Sequence, residues 1–512
     1  MYNEKVMKEF KKPKNFGEMK NPDATGKVGN PVCLPAGAKV HANDEYANIE
    51  KLSEGQFVLG HDGLYNEIQR TIARDYSGKL IRIKNKLGIT ELTPEHEVLI
   101  VKVPKKREYE FARGRKTLPF AWYHADEVTK KDLAVYPIVS EERDKEYVEM
   151  SQEKKKWDFR SKNIPRKIPV NEDFLRLCGY YLSEGSIRDI VTKTHVGFTF
   201  NIKEKDLVED VVAIVKMLFG LEVKTKEIEK RNTAQLTLNN VWVARLFKEL
   251  FGKGAAEKKM PHWMLLLPVE KQKSLIYGLW KGDGCFNAKR PRAGYSTISY
   301  QMAQQIKSLL LRQEILPSIY SEKPKVSADG TKHKAAYRIH VGDRKSLENL
   351  AGILKLDFKT NMPVSVDSWF KDGKLFIPIT ETKEKEYSGK VYNLEIKDSK
   401  SYTTESLAVH NCGDVMEIFL KIGKNKKGEE IIKDVKIKTF GCVVAIANAS
   451  VLTQLAKGRT IDEAEKLEKK DILKKLGDVP TVKIHCSLLA IDALKEAIKN
   501  YKENKGKRTE NK

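Results

Sequence analysis

The rhythm of apolar and polar residues changes several times along the chain. The first stretch, EFKKPKNFGEMKNPDATGKVGNPV, is rich in turn residues and stops at Val32. Short alternating runs follow (KVHANDEYANI, QFVLGHDGLY, KLIRIKNKL, and later VYNLEIKD), the period expected of half-buried strands. Between them the pattern turns helical. LCGYYLSEG at 177–185 and IYGLWKGDG at 276–284 predict two helices, and each is followed by a strand-like run and an amphipathic helix (KEKDLVEDVVAIVKMLFG and SYQMAQQIKSLLLRQEI). Near the end, CGDVMEIFLKI and VKIKTFGCVVAIANAS alternate like strands. TIDEAEKLEKKDILKKLG and SLLAIDALKEAIKNYKENK are then helical, and the last dozen residues, rich in Lys, read as a solvated tail.

The two central helical segments are copies. Gly179 and Gly278 are 99 positions apart, as are Glu184 and Asp283, a spacing that implies a duplicated domain. Residues 1–32 and 412–512 read as one small domain cut in half around a long insert, 33–411. The expected organisation is therefore a split domain over 1–32 and 412–512, a strand-rich domain over 33–165 and 361–411, and the duplicated domain over 166–360. The length of 512 residues fits such a multidomain chain.

The formal charge of +24 divides into +10 over the two ends and +14 over the longer middle, so charge alone does not locate a nucleic-acid site. Runs such as KVPKKREYEFARGRK and KKKWDFRSKNIPRK could touch phosphates, but a solvated face is the plainer reading of each. No apolar run approaches the ~20 residues of a membrane helix, and MYNEKVMKEF has no signal core, so a cytoplasmic protein without a membrane partner is expected. Six cysteines in a chain this long do not form a disulfide framework.

The seams carry specific chemistry. The middle begins at Cys33 and ends at His410-Asn411, with Cys412 next. Cys33 can attack the Val32 carbonyl and convert the amide to a thioester, an uphill step that needs assistance. Thr93 and His96 in LTPEHEVLI can polarise the carbonyl and protonate the leaving nitrogen. Cys412 then takes the acyl group, Asn411 cyclises with His410 as proton donor, and an S-to-N shift leaves a Val32–Cys412 peptide. CLPAGAKV, LTPEHEVLI and VYNLEIKDSKSYTTESLAVHNC resemble an intein of the Hedgehog/intein type, which implies an all-β splicing fold. Many inteins carry His at the position of Lys400. That departure leaves Asp398 as the candidate to assist the later steps.

The paired segments resemble the LAGLIDADG homing endonucleases. The resemblance implies an α/β duplicated domain in which Cys178-Gly179 and Gly278 let two helices pack closely. It also implies that Glu184 and Asp283 meet at a shared Mg²⁺-dependent centre, and that the strands lie along double-stranded DNA at the insertion site. Cys178 and Cys285 are expected to be packing residues.

Joined across the middle, the two ends give a small domain containing Cys412, Cys442 and Cys486, with Asp414 and His485 beside two of them. Three thiolates with an Asp and a His can hold Zn²⁺ or an iron–sulfur cluster. YNEKVMKEFKKPKNFG, GNPV-CGD, TFGC and KIHCSLLA resemble the NifU/IscU-type cluster assembly scaffold, which implies an α+β fold supplied by a cysteine desulfurase and serving apo iron–sulfur proteins. Two departures stand out: VPTVK at 479–483 where many relatives have LPPVK, and Val443-Val444 after the TFGC cysteine. The leading expectation is a self-splicing precursor of the scaffold. The alternative is an unspliced DNA-binding nuclease with a small zinc-binding domain.

Overall fold

The computed structural model describes residues 3–29, 32–43, 45–103, 119–150, 164–190, 193–326, 332–363, 367–411, 415–440, 443–477 and 485–510. The two ends of the chain share one antiparallel sheet, in which the strand Ala24–Gly29 pairs with Val415–Lys424, and that strand pairs with Glu430–Phe440. Alternation along Val415–Lys424 buries Met416, Ile418 and Leu420 against the helices Val443–Ala456 and His485–Glu510. Gly26 is required where the last helix crosses the sheet, because a Cβ there would lie 2.3 Å from Ala493 O. Val6, on the helix Glu4–Lys11, closes the same core. Asn3 caps that helix through Val6 N (2.9 Å) and also donates to Leu476 O (2.9 Å), tying the start of the chain to its end.

The last helix runs on to Glu510 where a solvated tail was expected. Lys and Glu are good helix formers, and the added turns are anchored where Tyr501 Oη (3.1 Å) and Lys505 Nζ (2.7 Å) meet Glu430. The run TIDEAEKLEKKDILKKLG is two short helices, Ile461–Glu465 and Lys469–Leu476, each opened by its own capping box.

The strand-rich part is built around a long antiparallel ribbon, Tyr65–Asn85 against Glu381–Ile396, which brings segments from either side of the duplicated region together. Leu34–Pro35 pairs with the second of these strands and Gly88–Leu92 with the first. A second sheet places Glu97–Val101 between Leu133–Pro137 and Ala408–His410. The buried residues of these sheets form two cores, one of which also takes in Leu311 and Leu316 from the duplicated part.

The duplicated part has two side-by-side helices, Glu172–Glu184 and Val269–Asp283, each followed by a four-stranded antiparallel sheet. The sheets have equivalent strand orders: Gly185–Ile190, Lys193–Asn201, Thr233–Leu238, Lys224–Ile228 in one, and Gly284–Asn287, Arg292–Thr297, Ala336–Val341, Ser318–Glu322 in the other. The helices touch backbone to backbone. A Cβ on Gly278 would lie 2.3 Å from Arg176 O, and one on Gly179 would lie 2.5 Å from Leu275 O. Gly278→Ala is therefore expected to destabilise this part by about 1–3 kcal/mol through overpacking, read as a lower denaturation midpoint. Val148 and Met150 pack into this core together with Ile168. Cys178 is buried between the helices as expected. Cys285 is exposed, because the strand Gly284–Asn287 turns it to the outer face of its sheet.

Candidate functional site

The two seams meet at one turn. Pairing of Leu34 with Tyr392 sets the residue before it beside Asn393, and Asn393 Nδ2 donates to Val32 O at 2.8 Å. Asn393 is itself held, its Oδ1 accepting from Leu394 N (2.8 Å) and from the buried Tyr402 Oη (2.8 Å). On the other side of the Val32–Cys33 amide, Cys33 N donates to Thr93 Oγ1 (2.9 Å), and Thr93 N donates to Cys33 O (3.0 Å). The turn is closed by His96 N to Thr93 O at 3.0 Å.

His96 is fully buried, and burial draws its pKa down to about 4, so the ring is neutral at neutral pH. Neither ring nitrogen completes a well-aligned hydrogen bond. Its charged form is nonetheless favoured by the backbone of Cys33 and of His410, which places the imidazole between the two seams. One step along, Glu97 Oε2 lies 3.3 Å from His410 Nδ1, and the His410 ring packs edge-on against Trp122 at 5.1 Å. Asn411 is buried. Its backbone N–H donates to Lys400 O (3.0 Å), and its side-chain amide has Nδ2 toward Lys400 O and Oδ1 toward Ile396 N, the orientation these neighbours require.

Cys33 is buried, and burial pushes its thiol pKa up, opposed by the nearby Arg74 guanidinium. Arg74 Nη1 also donates to Gly29 O at 2.8 Å, gripping the backbone ahead of the seam. The structure thus brings together Cys33, Thr93, His96, His410 and Asn411. Asp398 stays in an exposed turn with left-handed backbone (φ 57°), and Lys400, also exposed (φ 48°), reaches Asn411 through its backbone carbonyl. Sequence reasoning missed Asn393, Glu97 and Arg74, although Asn393 and Glu97 sit inside motifs singled out for other residues. Cys412 lies outside the described residues.

A second site lies at the ends of the paired helices. Burial raises the Glu184 pKa to about 7, with the charge of Asp283 adding to the effect, and burial raises that of Asp283 as well. Lys258 stands by both acids, its Nζ donating to Ser183 O at 3.1 Å and its pKa drawn down by burial to about 8. The Tyr295 hydroxyl is buried close to the same acids without a hydrogen-bond partner. Two carboxylates held at the cost of desolvation suit a hard divalent cation such as Mg²⁺, with waters and phosphate oxygens completing its shell. Among the described residues no three His, Cys, Asp or Glu side chains converge, so the two acids are the carboxylates this site offers such an ion. Lys258 has no signal in the sequence beyond the run KKMPHW. The adjoining sheets expose Arg188, Lys224 and Lys226 on one side and Arg292 and Arg338 on the other, cationic groups suited to a phosphate backbone, with His340 exposed beside Arg338.

The third set lies outside the described residues at Cys412, Asp414 and Cys442. His485 and Cys486 open the last helix, but their side chains are not described. No helix among the described residues is long and apolar enough to cross a membrane.

Residues 392–508 match the family described as NifU-like N terminal domain, and residues 270–355 match the LAGLIDADG-like domain. Over 121 residues the chain is 45% identical to the iron-sulfur cluster assembly enzyme IscU of Drosophila melanogaster, covering 23% of this chain and 75% of that one. The chain belongs to the IscU family. It carries a LAGLIDADG-like unit as well. The first matched span begins inside the strand Glu381–Ile396, whereas the IscU-like core holds no residue between Val28 and Met416 among those described. The chain is also 28% identical over 425 residues to an uncharacterized protein of Methanocaldococcus jannaschii, covering 76% of this chain and 51% of that one. It is 24% identical over 416 residues to the ATP-dependent DNA helicase Hel308 of Thermococcus kodakarensis, covering 75% of this chain and 36% of that one. The chain therefore spans about half and about a third of these relatives. Among solved structures, homing endonuclease I-DmoI is similar with a TM-score of 0.29 at 12% identity, covering 36% of this chain and 97% of that one.

Proposed function

We propose that residues 33–411 are an intein of the Hedgehog/intein type that excises itself and joins Val32 to Cys412. The observation that carries this reading is the convergence of both seams on His96, with Asn393 Nδ2 on the Val32 carbonyl oxygen. Attack of Cys33 Sγ on the Val32 carbonyl carbon moves negative charge to that oxygen, where Asn393 already donates. Thr93 fixes the departing nitrogen, and the neutral His96 takes the Cys33 thiol proton and passes it to that nitrogen as the C–N bond breaks. The thiolate of Cys412 then displaces Cys33 from the thioester. Asn411 Nδ2 attacks its own carbonyl carbon, forming a succinimide and freeing the Cys412 amine, while His410, oriented by Glu97, supplies the proton. Transfer of the acyl group from sulfur to that amine completes the peptide.

The similarity pattern supports insertion. Alignments that cover 76% and 75% of this chain cannot be contained in 1–32 and 412–512, so each includes most of the middle, and one of those relatives is named a helicase. The IscU match covers 23% of this chain. The two parts thus occur apart from each other.

The spliced product, 1–32 joined to 412–512, is proposed to receive an iron–sulfur cluster as cargo at Cys412, Asp414, Cys442 and Cys486, with His485 beside them. A cysteine desulfurase would supply sulfur, and apo iron–sulfur proteins would take the cluster. The LAGLIDADG-like unit is proposed to cut double-stranded DNA at the insertion site, with Glu184 and Asp283 holding Mg²⁺, which would stabilise the attacking and leaving oxygens. Mass spectrometry after expression tests the whole reading. The masses of the excised segment 33–411 and of the joined ends are expected. A single intact chain of 512 residues would instead favour an unspliced nuclease with a zinc-binding domain.

The carbonyl contact makes its own prediction. Asn393→Ala is expected to slow thioester formation at Val32 by about 10²–10³-fold, the loss of one oxyanion donor. Thiol-induced release of residues 1–32 measures it, and an unchanged rate would exclude Asn393 from this role.

A further inference from the structure

The helix Tyr300–Arg312 packs Met302, Ile306 and Leu310 into the core of the LAGLIDADG-like unit, and its other side meets the strand-rich unit. Leu311, on this helix, and Leu316, just beyond it, are buried in the core of the strand-rich part. Gln301 exchanges hydrogen bonds with the Tyr46 backbone, its Oε1 accepting from Tyr46 N and its Nε2 donating to Tyr46 O, both at 3.0 Å. Lys307 on this helix is 0% exposed. Its Nζ donates to Glu405 O at 2.9 Å and lies 4.7 Å from the centre of the Tyr46 ring and 5.6 Å from that of Tyr136. Tyr300 Oη donates to the Glu405 carboxylate, and Gln304 Nε2 reaches the same oxygen at 3.4 Å.

What these side chains hold is the turn Thr404–Leu407, closed by Thr404 N to Leu407 O at 2.8 Å. It links the strands Ser401–Thr403 and Ala408–His410, and the second strand ends at the seam. A buried ammonium carries a large desolvation penalty, which is hard to account for in a dispensable passenger. We propose that Lys307, Tyr300 and Gln304 are positioning residues for cleavage of the Asn411–Cys412 bond, so the LAGLIDADG-like unit is part of the splicing site. The proposal rests on the splicing reading above.

Lys307 also brings a pH signature. Burial draws its pKa down to about 7, opposed by Glu405. The other titratable groups facing it are Tyr46, Tyr136, Tyr300 and His41, with His262 beyond His41. The charged ammonium grips the Glu405 carbonyl more strongly than the neutral amine does, so its contribution is greatest below pH 7 and weakens above.

The test uses the full chain in two backgrounds. With Cys33→Ala, release of residues 412–512 reports Asn411 cyclisation. With Asn411→Ala, thiol-induced release of residues 1–32 reports the other seam. Lys307→Met is expected to slow the first release about tenfold or more while changing the second by less than about twofold. Its deficit relative to Lys307 should shrink as pH rises through about 7. Tyr300→Phe, which removes one hydroxyl, should slow the first release in the same direction without lowering the melting temperature. An unchanged first release, equal slowing at both seams, or a deficit that does not vary with pH would each overturn the proposal. Failure of both releases with Lys307 intact would overturn the splicing reading, and the proposal with it.

Discussion

Asn411→Ala is expected to abolish the ligated product of the two ends completely while leaving the Val32 side reactive. Cleavage after Asn411 needs a nucleophile attached to that residue. The side-chain Nδ2 is the one group able to reach the Asn411 carbonyl carbon through a five-membered ring, and alanine supplies nothing in its place. The groups acting on Val32 (Asn393, Thr93 and His96) do not involve the Asn411 side chain. Thiol should therefore still release residues 1–32 from the rest, which electrophoresis and mass spectrometry would show as a short fragment and a long one. Ligated product from this variant would sink the assignment.

Glu184→Gln and Asp283→Asn are each expected to abolish Mg²⁺-dependent DNA cleavage while leaving DNA binding and splicing in place. The proposed substrate is the uninterrupted host sequence spanning the codons for Val32 and Cys412. Each change replaces one of two carboxylates by a neutral amide and removes half of the negative charge that would hold the ion. Cutting of that sequence by either variant at the rate of the unsubstituted chain would remove the acids from the mechanism. The same acids predict a stability effect of opposite sign. Burial lifts the Glu184 pKa from 4.5 to about 7, so the folded state binds this proton more tightly than the unfolded chain does. The stabilisation from that proton is full below 4.5 and is lost as pH rises through about 7. Without divalent ions, Glu184→Gln should therefore melt above the unsubstituted chain at pH 8, and the two should converge near pH 5. Adding Mg²⁺ at pH 8 should raise the melting temperature of the unsubstituted chain and leave the variant nearly unchanged.

The parts of this protein that are local in sequence were legible there. The matched offset of Gly179 with Gly278 and of Glu184 with Asp283 foretells two helices in backbone contact carrying their acids to a common end, because a helix translates residue spacing directly into a face and a length. The thiols at both seams and the terminal Asn are residue types that the proposed acyl transfer requires, and that proposal could be made from them alone. The fold decided what depends on pairing between distant segments. Asn393 meets the Val32 carbonyl because the register of Leu34 on Tyr392 aims position 393 inward, while Asp398, the candidate for the later steps, lies in an exposed turn after Ile396. Lys258 and Lys307 look like any surface lysine in the sequence, yet packing buries one beside two acids and the other beneath the turn leading to Asn411. A hydrophobic period encodes which face is buried. It does not encode which polar group from hundreds of residues away will be buried against that face.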